Sequence, residues 1–209
     1  MLKQYLDETK IEVGIDEAGR GCLFGPVCVA AVIWCHEDPL YNGNPPPEIK
    51  DSKKVSEKKR LILKDYIEQN AIAWSVQFLS HEEIDECNIL SATMKGMHRC
   101  IDDIRKQVDI DTILVDGNHF KAYTDENLDC IDHECVIGGD DKYKSIAAAS
   151  ILAKTHRDNY ILELSKQNKQ LDKYDIPKNK GYGTKQHMDA LKQFGTIEGH
   201  RLSFKPCQQ

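Results

Sequence analysis

The feature that most constrains the fold is the run Val27 to Cys35 within GPVCVAAVIWC, the longest apolar stretch of the chain and free of charge. It is far short of the roughly 20 residues that span a bilayer, so no transmembrane helix is expected. Its Val and Ile content and the lack of any polar alternation instead predict a strand covered on both faces. Just before it, Ile11 to Ile15 forms a second short apolar stretch that ends on Asp16 and Glu17 and then meets Gly19, Arg20 and Gly21. The glycines predict a turn, and the two strands are expected to pair antiparallel through it.

Beyond this hairpin, strand and helix signals alternate. Ser56 is placed to cap a helix over about 57–69, and Ala71 to Leu79 reads as a strand. Ser80 and Glu83 fit a capping box for a helix running to about Lys106. Short strands are expected at Thr112 to Val115 and at Glu134 to Ile137, then a long helix from Ser145 to Lys166 with the Ala-rich front half IAAASILAK. Thr184 and Gly195 bracket a last helix over 185–194. Residues 36–50, rich in Pro, Gly and Asn, predict a surface loop rather than a linker. With 209 residues and 40% hydrophobic content, one α/β domain over 1–209 is expected, about 1–165 as its core and about 166–209 as a C-terminal helical part.

The first ten residues, MLKQYLDETK, carry charges where a signal peptide needs an apolar core, so a cytoplasmic location is expected. The eight cysteines include no C-x-x-C and sit mostly in apolar stretches, which predicts free thiols packed as small hydrophobes. Cys130, His133 and Cys135 form one local cluster, but no second ligand pair stands at zinc-site spacing.

A formal net charge of −6 argues against a partner as anionic as nucleic acid, yet it averages over an asymmetry. Residues 142–209 hold 13 Lys+Arg against 6 Asp+Glu, whereas residues 1–141 hold 15 against 28. The C-terminal third is therefore the candidate phosphate-facing part, though charge alone fits solvated lysine-rich helices equally well.

Asp16 with Glu17, Asp116, and the pair Asp140 and Asp141 all stand at expected strand ends or helix starts. In an α/β sheet such positions converge on one crevice. Any one aspartate before a glycine is ordinarily a turn residue; several converging ones repel unless a cation joins them. All-oxygen ligation suits Mg²⁺ or Mn²⁺, and two such ions about 3.5–4 Å apart can drive phosphodiester cleavage. Asp16 and Glu17 can serve one site only if the strand ends or turns there, since adjacent strand side chains face opposite ways.

The string VGIDEAGRGCLFGPVCVAAV resembles the opening signature of the ribonuclease HII family, the type 2 ribonucleases H. Further similar segments follow in family order: KDSKKVS at 50–56, LVDGN at 114–118, GGDDKYKSIAAASILAKTHRD at 138–158, KGYGTKQH at 180–187 and HRLSF at 200–204. The resemblance implies a ribonuclease H-like fold, a central mixed five-stranded sheet flanked by helices with a C-terminal helical extension. It implies two-metal-ion catalysis by Asp16, Glu17, Asp116 and Asp140, acting on the RNA strand of RNA–DNA hybrids and 5′ of ribonucleotides embedded in duplex DNA. Asp140 is preferred to Asp141 because the family aspartate follows a glycine and lies ten positions before the serine of A-A-S-I, here Ser150.

Gly19, Arg20 and Gly21 match the turn that reads the ribose 2′-hydroxyl through backbone groups, a sensible use of glycine because no Cβ obstructs the approach. Arg20 equally suits a salt bridge or a phosphate contact. Tyr182 matches the tyrosine that stacks on the neighbouring deoxynucleotide sugar. Lys53, Lys54, Lys144, Lys154, Arg157, Lys180 and Lys185 lie in or beside the similar segments and are candidate phosphate contacts; Ser145 can cap its helix or meet a phosphate. Lys154 and Arg157 are also placed to hold their helix against acids. The lack of a long N-terminal extension favours a single-chain bacterial type, expected as a monomer, with no sliding-clamp motif legible at the C-terminus. A non-catalytic hybrid-binding module and a different repair or recombination nuclease on the same fold are the rival readings.

Overall fold

Among the described residues the chain forms five strands: β1 (Glu12–Ala18), β2 (Val27–Ile33), β3 (Ala73–Leu79), β4 (Thr112–Asp116) and β5 (Asp132–Val136). In the computed structural model, which describes all residues except Met1, His36, Glu126 and Gln209, they form one mixed sheet ordered β3-β2-β1-β4-β5. β1, β2 and β3 pair antiparallel in turn, while β4 runs parallel to β1 and β5 parallel to β4. Every residue of β2 is buried, as its uninterrupted apolar sequence requires.

Six α-helices occur among the described residues: α1 (Glu57–Asn70), α2 (His81–Cys87), α3 (Ile89–Arg105), α4 (Lys144–Gln167), α5 (Ile176–Asn179) and α6 (Lys185–Phe194). On one face of the sheet Val13, Ile15, Val29 and Val115 pack with Met97, Cys100, Ile101 and Ile104 of α3. On the other, Cys28, Ala30 and Val32 pack with Ala147, Ala148, Ile151 and Leu152 of α4 and with Leu63 and Ile67 of α1. The small residues of α4 let its backbone lie against β1: a Cβ at Gly14 would stand 2.4 Å from the Ile146 nitrogen. A third cluster, with Leu23, Phe24, Ile161, Tyr174 and Leu191, fastens the segment after β1 to the C-terminal helices.

Ser56, Ser80 with Glu83, and Thr184 cap their helices through side-chain hydrogen bonds. The helix expected from Ser80 to Lys106 is two helices. Asn88 breaks it at φ 68 and its side chain accepts from the Ser91 amide, ending α2 and capping α3; asparagine is among the few residues suited to both tasks. The strand expected at 134–137 begins two residues earlier and ends at Val136, which leaves Ile137 exposed. His36 and Glu126, in the two long loops, are outside the described residues. The eight cysteines are free thiols, and no helix of the described residues is long and apolar enough to cross a membrane.

Candidate active site

Parallel pairing sets Ile15 opposite Val115, so Asp16 and Asp116 follow side by side at the C-terminal ends of adjacent strands. Asp140 arrives from a 3-10 turn, Gly139–Asp141, which the left-handed Gly138 (φ 63) introduces after β5. Each of the three offers a carboxylate oxygen, and these oxygens lie within 4.8 Å of one another. Hydrogen bonds hold them there. Asp116 accepts from the Gly139 amide at 2.6 Å, and Asp16 accepts from the Glu17 amide at 2.7 Å, with the nearby Ser150 hydroxyl favouring its charged form.

Burial, and then the neighbouring charges of Glu17 and Asp116, push the Asp16 carboxyl well above the usual carboxylate range. Burial and Asp116 likewise raise Asp140, with Lys53 opposing. The Lys53 ammonium, at 3.3 Å from Asp140, is the one lysine ion-paired to this cluster among the described residues, and its side chain is 77% exposed, so its charge is well screened. The three carboxylates thus present hard oxygen donors with too little positive charge among them, a donor set that fits a divalent cation of the magnesium class. No second group of metal-ligating side chains at such spacing occurs among the described residues, Cys130, His133 and Cys135 included.

Glu17 is not in the cluster. β1 continues through Ala18, so Asp16 faces α4 while Glu17 faces the other way, where Arg20 holds its carboxylate at 3.1 Å. It remains near enough that the Asp116 charge contributes to its raised pKa, after burial. Asp141 is exposed and ion-paired with Lys54.

The glycine turn sits on two buried guanidinium groups. Arg157 is fully buried and donates to the carbonyls of Pro26 (2.9 Å), Lys180 (2.8 Å) and Phe24 (3.1 Å). Gly19, at φ +92, lies directly over it, and a Cβ there would come within 2.0 Å of Arg157 Nε. Arg157 is therefore no phosphate contact: all three of its nitrogens serve the backbone. Such charge-assisted bonds contribute about 1.5–3 kcal/mol each, enough together to offset several kcal/mol of ion burial. Lys144 and Ser145 are also removed from the expected binding surface. Lys144 is 12% exposed and bonded to Asp38 at 2.7 Å, and Ser145 is buried against Gly14. Lys154 stays at the surface, bonded to Asp158 at 2.8 Å and 5.5 Å from the centre of the Tyr182 ring, which is itself 40% exposed.

Four further groups carry no local sequence signal. Ser52 and Ser150, 98 residues apart, join hydroxyls at 2.9 Å behind Asp16. His187 and His200 are both buried and share a hydrogen bond of 3.0 Å between their Nε2 atoms. His187 Nδ1 donates to the Tyr182 carbonyl, and His200 Nδ1 accepts from the Ile197 amide, each at 3.0 Å, so neutral rings form a continuous chain of bonds beneath Tyr182. Both residues fall inside segments matched by the resemblance, KGYGTKQH and HRLSF, but only the fold brings them together.

Acids at the C-terminal ends of neighbouring parallel strands, in a sheet ordered β3-β2-β1-β4-β5 and clothed by helices, define the ribonuclease H-like class of metal-dependent nucleases. Within that class the chain belongs to the ribonuclease HII family, whose model matches residues 13–207. The ribonuclease HII of Bacteroides fragilis is 47% identical over 206 residues, 98% of this chain and 94% of its own. That of Christiangramia forsetii is 48% identical over 206 residues, 98% and 95%. The ribonuclease HII of Archaeoglobus fulgidus, in its complex with PCNA, superposes with a TM-score of 0.64 at 28% identity over 88% of this chain and 86% of that one.

Proposed function

We propose that the chain is an endonuclease that hydrolyses the RNA strand of RNA–DNA hybrids and cuts 5′ of single ribonucleotides in duplex DNA, leaving a 3′-hydroxyl and a 5′-phosphate. The observation that carries this is the approach of Asp16, Asp116 and Asp140 within 4.8 Å in a member of the ribonuclease HII family. Asp16, Asp116 and Asp140 would hold the divalent ions, two Mg²⁺ or Mn²⁺ in this reading, and Glu17, whose carboxyl already feels the Asp116 charge, would join them by swinging round the end of β1 when Arg20 releases it to meet the substrate. Divalent cations bound there would supply the positive charge that phosphodiester hydrolysis requires at its attacking and leaving oxygens. Ser150, with Ser52 behind it, orients Asp16; the Gly139 amide orients Asp116.

Selection of the substrate lies beside the acids. Gly21 is exposed, faces open space and has no positive φ, so nothing in the fold demands glycine there. A ribose approaching the turn does, because a Cβ would stand between the backbone and the 2′-hydroxyl. Tyr182 offers a ring face for the adjoining sugar, and Lys53, Lys154, Lys185 and Arg20 remain available to the phosphates. The chain works as one catalytic domain over 1–209, with about 166–209 as its substrate-contacting part. The PCNA complex of the Archaeoglobus fulgidus relative supports a sliding clamp as a partner.

The test is cleavage, with Mg²⁺ or Mn²⁺, of an RNA–DNA hybrid, a duplex with one embedded ribonucleotide, and the same duplex in all-DNA form. Cleavage of the first two with a 3′-hydroxyl end is expected. Cleavage of all three alike would assign the chain to general nucleases, and binding without cleavage would make it a hybrid-binding module.

A further inference from the structure

Cys22 donates its amide to the Gly19 carbonyl at 3.3 Å, so residues 19–22 form a β-turn whose central peptide joins Arg20 to Gly21. That peptide is the part of a β-turn that can rotate. Flipping it by about 180° interconverts type I and type II turns, and glycine at the third position removes the steric barrier to the second form. In this protein Gly21 lacks the positive φ of type II, so one of two accessible states is selected.

Arg201 makes the selection. Its guanidinium is fully buried, and donates through Nη1 to the Arg20 carbonyl and through Nε to the Gly25 carbonyl, both at 2.9 Å. Its main-chain amide donates to Leu23 at 2.9 Å, which fixes the side chain's origin on the same segment. The chain has no cis peptide among the described residues. In a planar trans peptide the N–H points opposite to the C=O. With the Arg20 carbonyl drawn inward, the Gly21 N–H faces out, on an exposed residue, and no intramolecular acceptor for it occurs among the described residues.

Stability alone does not account for this arginine. No carboxylate lies within 4.0 Å of it among the described residues, and its Nη2 has no hydrogen-bond partner. A buried cation with an idle donor is a poor way to hold a fold, since an apolar side chain of similar volume is commonly as good or better. What an apolar side chain cannot do is hold a carbonyl in one orientation.

We propose that Arg201 is a positioning residue for ribose recognition: by holding the Arg20 carbonyl it locks the Arg20–Gly21 peptide with its N–H presented to the 2′-hydroxyl of the substrate. This rests on the reading that the Gly19–Gly21 turn faces the ribose. Mutating Arg201 would then act on discrimination between ribonucleotide and deoxyribonucleotide rather than on metal binding or phosphate contact.

The experiment measures Kd for a single-ribonucleotide duplex and for the matching all-DNA duplex, in an Asp116→Asn background that does not cleave. The ratio of the two is the ribose discrimination. Gly21→Ala examines the turn, and Arg201→Lys, which keeps the charge but cannot reach both carbonyls, examines the lock. The expected result is a fall in the ratio by about tenfold in each, of the order of one lost hydrogen bond to substrate, with the all-DNA Kd unchanged. A folded Arg201→Lys variant with the ratio intact, while Gly21→Ala lowers it, overturns the role of Arg201 alone. An intact ratio in Gly21→Ala overturns the reading of the turn, and the proposal with it. Should Arg201→Lys not fold, amide hydrogen exchange in the Asp116→Asn chain with Arg201 retained decides. The Gly21 N–H should exchange as an open amide in the free protein and become protected by the ribonucleotide duplex but not by all-DNA. Protection in the free protein overturns the proposal.

Discussion

Asp16 and Arg157 are both deeply buried ions, 5% and 0% exposed, and the protein treats them in opposite ways. Around Arg157 every donor nitrogen meets a backbone carbonyl, so the charge is dispersed and the surroundings are held. Around Asp16 the nearest charges are other carboxylates, and they raise its pKa beyond what burial alone does. The Arg157 site is a finished structure; the carboxylate cluster is an unfinished one that a cation and substrate complete. The glycine turn is the seam between them, with Gly19 over Arg157 and Glu17 just before it in β1.

If the cluster is kept for reaction at the expense of stability, Asp16→Asn should separate the two. Cleavage of a single-ribonucleotide duplex should fall by about 10³-fold or more, since one metal-binding carboxylate is lost. The same variant should melt higher than the parent chain in metal-free buffer at neutral pH. A group whose folded pKa is raised contributes stability that is present below its unfolded pKa and lost as pH rises through the folded one, so at neutral pH the carboxylate opposes folding. For a chain of this size each kcal/mol relieved is about 2–4 °C. Equal or lower melting of Asp16→Asn would break the contrast.

The opposite pattern is expected of Arg157→Met. Three inward carbonyls lose their donor, at about 1–3 kcal/mol each, so the urea midpoint should drop sharply, and any folded fraction should still bind Mg²⁺. Retention of full stability would show that the Arg157 site is not structural. Tyr182 belongs to neither set: it is partly exposed, its backbone bridges to Cys22, and its ring lies near the Lys154 and Arg157 cations. Tyr182→Ala should raise KM for the ribonucleotide duplex by about tenfold, and Tyr182→Phe by much less, because the face and not the hydroxyl is used.

The legibility of these regions in sequence follows their physics. Strand periodicity, caps and the acids at strand ends are local, and the antiparallel β1–β2 pair and the approach of Asp16 to Asp116 and Asp140 follow from them. The break at Asn88 is local too, but asparagine inside a helical pattern carries no unambiguous stop. Arg157 was not legible. A basic residue one helical turn from Lys154 looks like a surface ladder, and only the inward carbonyls of residues 24, 26 and 180, brought there by the fold, make it a core residue. Lys144 and Ser145 mislead for the same reason, since Asp38 and Gly14, their partners, lie over 100 residues away. The separation of Glu17 from Asp16 depended on where β1 ends, and a strand end is poorly fixed by sequence.

The smallest expected effect concerns the histidines under Tyr182. Burial, with His187 adding to it, depresses the His200 pKa from 6.5 to about 4. The unfolded chain therefore binds a proton that the native state refuses between those values, and this group makes stability rise with pH across that window. Asp16 acts in the opposite sense as pH rises, so the melting curve of the parent chain alone does not isolate either. The difference between it and His200→Gln does: the variant, whatever its absolute stability, should lose less on acidification from pH 6.5 to 4. Because the His200 bond to His187 ends on the Tyr182 carbonyl, the same titration in the parent chain should weaken binding of the ribonucleotide duplex before the protein unfolds. Parallel melting curves for the two proteins over that window would mean that His200 stays protonatable in the fold, and that the layer beneath Tyr182 is open to water rather than finished.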